Sequence, residues 1–201
     1  MKALTNPSVE PPARLFTVSF VALGTILRPA IRRRVQVLYR MKALMDKHVD
    51  ELTVLCAKEH GKVLDEAMGD VVKVTEVIEF ACGIPHLMKG PALMNVTSGY
   101  DTTQYMEPMG VFAGIVPWNF PAMLPMGWMA PICIATGNTL VLKLASYVPQ
   151  SAMRIMELWE EAGLPKGVLN VVTGSSNRTW AASAVRGLPS SGWTTKAIAP
   201  V

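Results

Sequence analysis

Between Glu107 and Lys143 the chain carries no charged residue. So long a stretch without Asp, Glu, Lys or Arg must leave water, and it can go either into a bilayer or into a protein core. Prolines at 117, 121, 125 and 131 and the Gly137-Asn138 pair cut it into pieces too short to span a membrane. Each piece then reads as a buried element: a strand over 111–116, a loop over 117–119, a helix over 122–136 and a strand over 139–143.

The pattern continues downstream. Residues 149–162 read as a helix with Met153, Met156 and Trp159 on its apolar face. Gly163 ends it, Pro165-Lys166-Gly167 turns the chain, and 168–172 is a third strand. Strand, helix, strand, helix, strand with tight connections is the mark of an α/β fold: a Rossmann-like parallel sheet with helices on both faces. Ligands of such sheets bind at the carboxyl ends of the strands, which places residues 116–119, Lys143 and Gly174 at the expected site. No GxGxxG follows any strand, so the usual dinucleotide fingerprint is absent.

Upstream, Leu38, Met41, Met45, Leu52 and Leu55 recur at helical spacing and predict one helix over 32–58 closed by Gly61. A second helix is expected over 63–81, with Val71, Val74, Ile78 and Ala81 on one face and Gly83 and Pro85 ending it. Residues 88–110 favour extended structure through Thr97, Tyr100, Thr102, Thr103 and Tyr105. Ser98-Gly99 supplies a turn, so a hairpin or ribbon is expected there. The organisation is therefore an irregular leader over 1–30, a partial nucleotide-binding domain over 31–174 and a divergent tail over 175–201. Leu15 to Leu27 is uncharged but too short to span a bilayer, and reads as a buried segment or a non-native leader.

Composition narrows the function. Half of the 201 residues are hydrophobic and 17% are charged, which excludes disorder for most of the chain. The net charge is only +4, and the basic residues cluster only at Arg32, Arg33 and Arg34, where a helix opens. Nucleic-acid binding needs more than that. Three scattered cysteines, Cys56, Cys82 and Cys133, form neither a disulfide framework nor a CxxC metal site. They point to a reducing intracellular compartment: the cytoplasm, or the mitochondrial matrix in a eukaryote. Three isolated histidines offer no metal centre.

Four motifs in order share one likeness. The run from Glu107 through Val116-Pro-Trp-Asn-Phe-Pro121 resembles the strand and loop before the substrate tunnel of the aldehyde dehydrogenase superfamily. Gly137-Asn-Thr-Leu-Val-Leu-Lys143 is similar to the strand that follows, and Ala162-Gly-Leu-Pro-Lys-Gly-Val-Leu-Asn-Val-Val-Thr-Gly174 to the one after it. Glu59-His-Gly-Lys62 is similar to the family's Glu-x-Gly-Lys helix end. The resemblance covers about 32–174. Residues 79–90 and Asn119-Phe-Pro-Ala-Met-Leu-Pro125 look most like the CoA-acylating methylmalonate-semialdehyde dehydrogenases. That likeness implies oxidation of malonate or methylmalonate semialdehyde with NAD, through a cysteine thioester released to CoA.

The matching residues support specific roles. Asn119 offers an amide NH2 where an oxyanion would form, a contact worth about 3–4 kcal/mol in comparable sites; a loop asparagine serving local backbone groups is the plainer alternative. A lysine ending a buried strand either meets an anion or a ribose or snorkels its ammonium past the strand end into water, and the resemblance implies that Lys143 meets the adenosine ribose of NAD. Val116 and Trp118 would wall the cofactor cleft; packing alone is the plainer alternative for Trp118. Where the family has Lys-Pro-Ser-Glu, this chain reads Lys143-Leu-Ala-Ser146, so Ser146 stands in for the ribose-binding carboxylate. The spacing from Asn119 to Gly137 is one residue longer than the family pattern, which threatens the register of the helix between them.

No cysteine lies in the Gly-Gln-x-Cys type of context that a nucleophile needs, so Cys56, Cys82 and Cys133 read as structural. After Gly174 the motifs stop. The chain is thus expected to be a fragment without the catalytic cysteine, inert alone and either oligomeric or prone to aggregate through open sheet edges. A non-catalytic module that binds relatives through its ribbon is the second reading. A small membrane protein, the third, survives only if the uncharged stretch spans a bilayer.

Overall fold

A computed structural model of the chain describes residues 30–173. The leader up to residue 29, the tail and Gly174 lie outside the described residues. Three helices come first: α1 (Ile31–Lys47), α2 (Val49–His60) and α3 (Leu64–Cys82), followed by a single turn, α4 (Ile84–Leu87). A hairpin of β1 (Ala92–Thr97) and β2 (Tyr100–Thr103) precedes β3 (Val111–Ile115). A π-helical segment (Met123–Met129) runs into α5 (Ala130–Ala135), then come β4 (Thr139–Lys143), α6 (Gln150–Glu161) and β5 (Leu169–Val172).

The single helix expected over 32–58 is two. His48 leaves helical geometry at φ −107° and ψ 14°, and its N–H closes α1 on the carbonyls of Leu44 and Met45. Asp50 and Glu51 then open α2, where acidic side chains suit the helix dipole. Both helices bury the same side (Leu38, Met41 and Met45, then Leu52), so the apolar period runs through the break. Gly61 ends α2 in the left-handed region at φ 83°, the conformation its missing side chain makes inexpensive. Helix α3 buries Val71, Val74, Ile78 and Ala81 as their spacing predicts.

The ribbon β1–β2 is antiparallel and turns at Ser98-Gly99, with Gly99 at φ 82°. Its pairing is irregular between Leu93 and Thr97. There Asn95 takes φ 54° and donates its backbone N–H to Asp101 Oδ1 at 2.8 Å. Every residue of both strands is exposed.

The three remaining strands form the expected parallel sheet in the order β3-β4-β5. Val111 pairs with Thr139, and Leu140 with Leu169. Strand β4 is buried throughout, which explains its unbroken apolar run. Leu140, Leu142 and Leu144 join α1, α2, α3, α5 and α6 in a single core, so the described helices gather against one face of the sheet. Among the described residues no helix is long and apolar enough to cross a membrane.

The region 122–136, expected as one α-helix, begins with the π segment Met123–Met129. Its winding holds one residue more than an α-helix over the same axial length. Beyond it Ala130–Ala135 continues as α-helix with Ile134 and Ala135 buried. Gly127 passes so close to α3 that a Cβ there would lie 3.2 Å from the Val74 Cα.

Candidate active site

The carboxyl ends of β3 and β4 meet at Val116 and Lys143. The Val116 N–H donates to the Lys143 carbonyl at 3.1 Å, and both side chains are buried. Lys143 retains only 7% exposure. No carboxylate lies within ion-pair distance of it among the described residues, and burial lowers its pKa from the ordinary lysine value. Ser146 is exposed in the loop that leads from β4 to α6.

Beyond Pro117 the chain turns toward the helical layer. Trp118 is 58% exposed and stacks on His60 at the end of α2, with ring centroids 5.9 Å apart and planes at 26°. Asn119 is exposed and lines a groove of about 490 Å³ with Lys62, Glu66, Asp70, Lys73, Phe120 and Met123. Its amide has no hydrogen-bond partner among the described residues, so the local-capping role expected as the plainer alternative is not filled here. Lys62 Nζ sits 4.3 Å from the Phe120 ring centroid, within cation–π range. The expected site residues therefore form two neighbouring groups, Val116 with Lys143 and Trp118 with Asn119.

Asp70 fixes the floor of the groove from the middle of α3. One carboxylate oxygen accepts the Met123 backbone N–H at 2.8 Å. The other meets Lys62 Nζ and Cys56 Sγ, each at 3.5 Å. Lys62, Asp70 and Lys73 were not singled out as site residues from the sequence. Only Lys62 had a signal, as the last residue of the Glu59-His-Gly-Lys62 motif.

Glu59 from the same motif reaches the other side of the site. It accepts the backbone N–H of Gln150 at 2.7 Å and of Ser151 at 2.8 Å, and the Ser151 hydroxyl as well. It thereby satisfies the first turn of α6, which has no capping side chain of its own.

None of the three thiols is prepared for attack. Burial pushes the Cys56 thiol up to about 12, helped by the Asp70 carboxylate beside it. Burial alone takes Cys133 to about 12, and it also raises Cys82. Cys133 lines an apolar groove of about 580 Å³ with Gly114, Val116, Pro117, Trp128 and Ile132, and Asn119 is not among its lining residues. A nucleophilic cysteine needs a thiolate near neutral pH in electropositive surroundings.

The aldehyde dehydrogenase family model matches residues 24–185. The chain belongs to the aldehyde dehydrogenase family. The match runs past the motif-bearing stretch 32–174 at both ends. A malonate-semialdehyde dehydrogenase of Pseudomonas aeruginosa is 47% identical over 142 residues, covering 71% of this chain and 28% of the relative. The fold matches a methylmalonate-semialdehyde dehydrogenase from Oceanimonas doudoroffii with a TM-score of 0.81 at 40% identity, over 86% of this chain and 35% of that one. It also matches a Bacillus cereus aldehyde dehydrogenase solved as an NAD+ complex, with a TM-score of 0.80 at 29% identity, over 87% and 35% of the two chains. This aldehyde dehydrogenase chain thus spans about a third of the length of such relatives and corresponds to their amino-terminal part.

Proposed function

We propose that these residues form the cofactor-side wall and oxyanion corner of an NAD-dependent, CoA-acylating semialdehyde dehydrogenase, and that the 201-residue chain by itself does not turn over. The observation that carries the reading is Lys143, a lysine only 7% exposed at the carboxyl end of a parallel strand, with Val116 hydrogen-bonded beside it and no carboxylate of the described residues within ion-pair distance. A ribose diol supplies the acceptors such a group lacks. The fit is incomplete, because Ser146 offers a hydroxyl where a carboxylate would hold the diol from the other side.

NAD, when bound, takes up the hydride that leaves the substrate carbon. The chain's own residues prepare for this. Lys143 holds the ribose, Val116 and Trp118 shape the cleft, and the Asn119 amide donates to the carbonyl oxygen as it gains charge. Covalent chemistry and transfer to CoA both need a thiolate, which neither Cys56, Cys82 nor Cys133 supplies.

Calorimetry with NAD tests the reading. Binding weaker than micromolar, abolished by Lys143→Met, is expected. Affinity unchanged by that substitution places the cofactor elsewhere and overturns the assignment.

A further inference from the structure

One turn of chain touches both groups of site residues. Glu59 holds the amides of Gln150 and Ser151, and so the end of the loop that carries Ser146. His60 stacks on Trp118. Neither of its ring nitrogens has a hydrogen-bond partner among the described residues, so the contact is one of faces. Lys62 covers Phe120 and reaches Asp70, which in turn holds the Met123 amide. Gly61 between them is left-handed at φ 83°, the reversal that lets His60 and Lys62 meet successive residues of one loop.

We infer that the helix end Glu59–Lys62 is a positioning clamp: it sets the Lys143-to-α6 loop against the Trp118–Asn119–Phe120 loop, and so fixes the cofactor wall relative to the oxyanion donor. The inference rests on the proposed cofactor site for its functional meaning, while its contacts do not. Glu59 is the member whose role separates most cleanly from plain stability. Its two oxygens satisfy three donors, and a neutral amide in its place keeps the volume but leaves one acceptor oxygen. Arg40 provides the matching control. It donates Nε to the Ala162 carbonyl at 2.6 Å, at the far end of the same helix. Both side chains secure α6, and only Glu59 does so beside the site.

The experiment compares Glu59→Gln with Arg40→Met in the 201-residue chain. Both should lower the unfolding midpoint. Glu59→Gln should also raise the NAD dissociation constant by roughly tenfold, since a displaced contact loop is felt at this level, whereas Arg40→Met leaves it unchanged. Equal changes in the two variants, or none in either, reduce Glu59 to a helix cap and overturn the inference. If the parent chain binds no NAD, the cofactor reading fails and amide hydrogen exchange judges the clamp alone. Glu59→Gln must then quicken exchange across 144–148 as well as at Gln150 and Ser151, and His60→Ala must quicken it at Trp118–Phe120. Changes confined to Gln150 and Ser151, with none around Trp118, overturn it. Should Glu59→Gln not fold, the His60→Ala result decides on the same criterion.

Discussion

Asn138 accepts the backbone N–H of Gly110 at 2.8 Å, and through that bond one side chain sets where β3 starts beside β4. The Gly110 carbonyl in turn accepts the Thr139 N–H at 3.0 Å, so the exchange locks the parallel register that carries Val116 to Lys143. Replacing Asn138 with Ala leaves the buried Gly110 donor unsatisfied and should cost about 1–3 kcal/mol. Urea denaturation of the variant measures this; a loss within error of zero would show that water or the shifted strand supplies the acceptor.

Lys143→Met should move stability and binding in opposite directions. Lys143 is largely buried without a carboxylate partner among the described residues, and burial lowers its pKa, so an apolar isostere relieves that desolvation. A higher melting temperature together with lost NAD binding is expected from calorimetry on one sample. A lower melting temperature would mean that the lysine has an internal acceptor.

Acid sensitivity should concentrate at Glu51. Hydrogen bonds from Arg154, at 2.6 Å, and from His48 hold its carboxyl down at about 2, against an ordinary 4.5. A depressed carboxyl contributes stability above its unfolded value and loses it as pH falls through the folded one, here between 4.5 and about 2. The pair is half exposed, so the contribution is small and salt-sensitive. Thermal melts of Glu51→Gln should show a shallower fall than the parent in that window, and parallel curves would remove the linkage.

Turnover should be absent. Cys56 and Cys133 titrate near 12, so neither forms thiolate near neutral pH. Losing a covalent nucleophile commonly costs a factor on the order of a million. No NADH should form from malonate semialdehyde, methylmalonate semialdehyde or propanal, with or without CoA. Activity that vanishes on Cys133→Ala would refute the structural role given to that thiol.

The ribbon should promote association. Leu93, Met94 and Val96 are exposed on a two-stranded hairpin that cannot bury its own faces. Size-exclusion chromatography should show concentration-dependent growth in size, reduced by Val96→Lys. A monomer at all concentrations would contradict it.

Much of this fold could be read from the sequence, because prolines and apolar periods mark boundaries directly. The strands at 111, 139 and 168 fall where expected, and so does the Ser98-Gly99 turn. The break at His48 was hidden because Met45 and Leu52 keep the buried face continuous across it. The site was harder for a different reason. Val116 and Trp118 are two residues apart, yet Pro117 sends one to the sheet and the other to α2, and no periodicity reports such a turn. The bond from Glu59 to Gln150 joins residues 91 positions apart, a distance over which composition is silent.

The π segment at Met123–Met129 has a consequence for how this chain tolerates changes of length. A residue added to an α-helix rotates everything beyond it by about 100°, given 3.6 residues per turn, which here would swing Ile134 out of the core and move β4. Widening one turn confines that rotation to a few residues and leaves both anchors, Asn119 before it and Lys143 after it, where they were. The segment acts as slack in the chain, a place where an insertion or deletion can be taken up without propagating into the sheet.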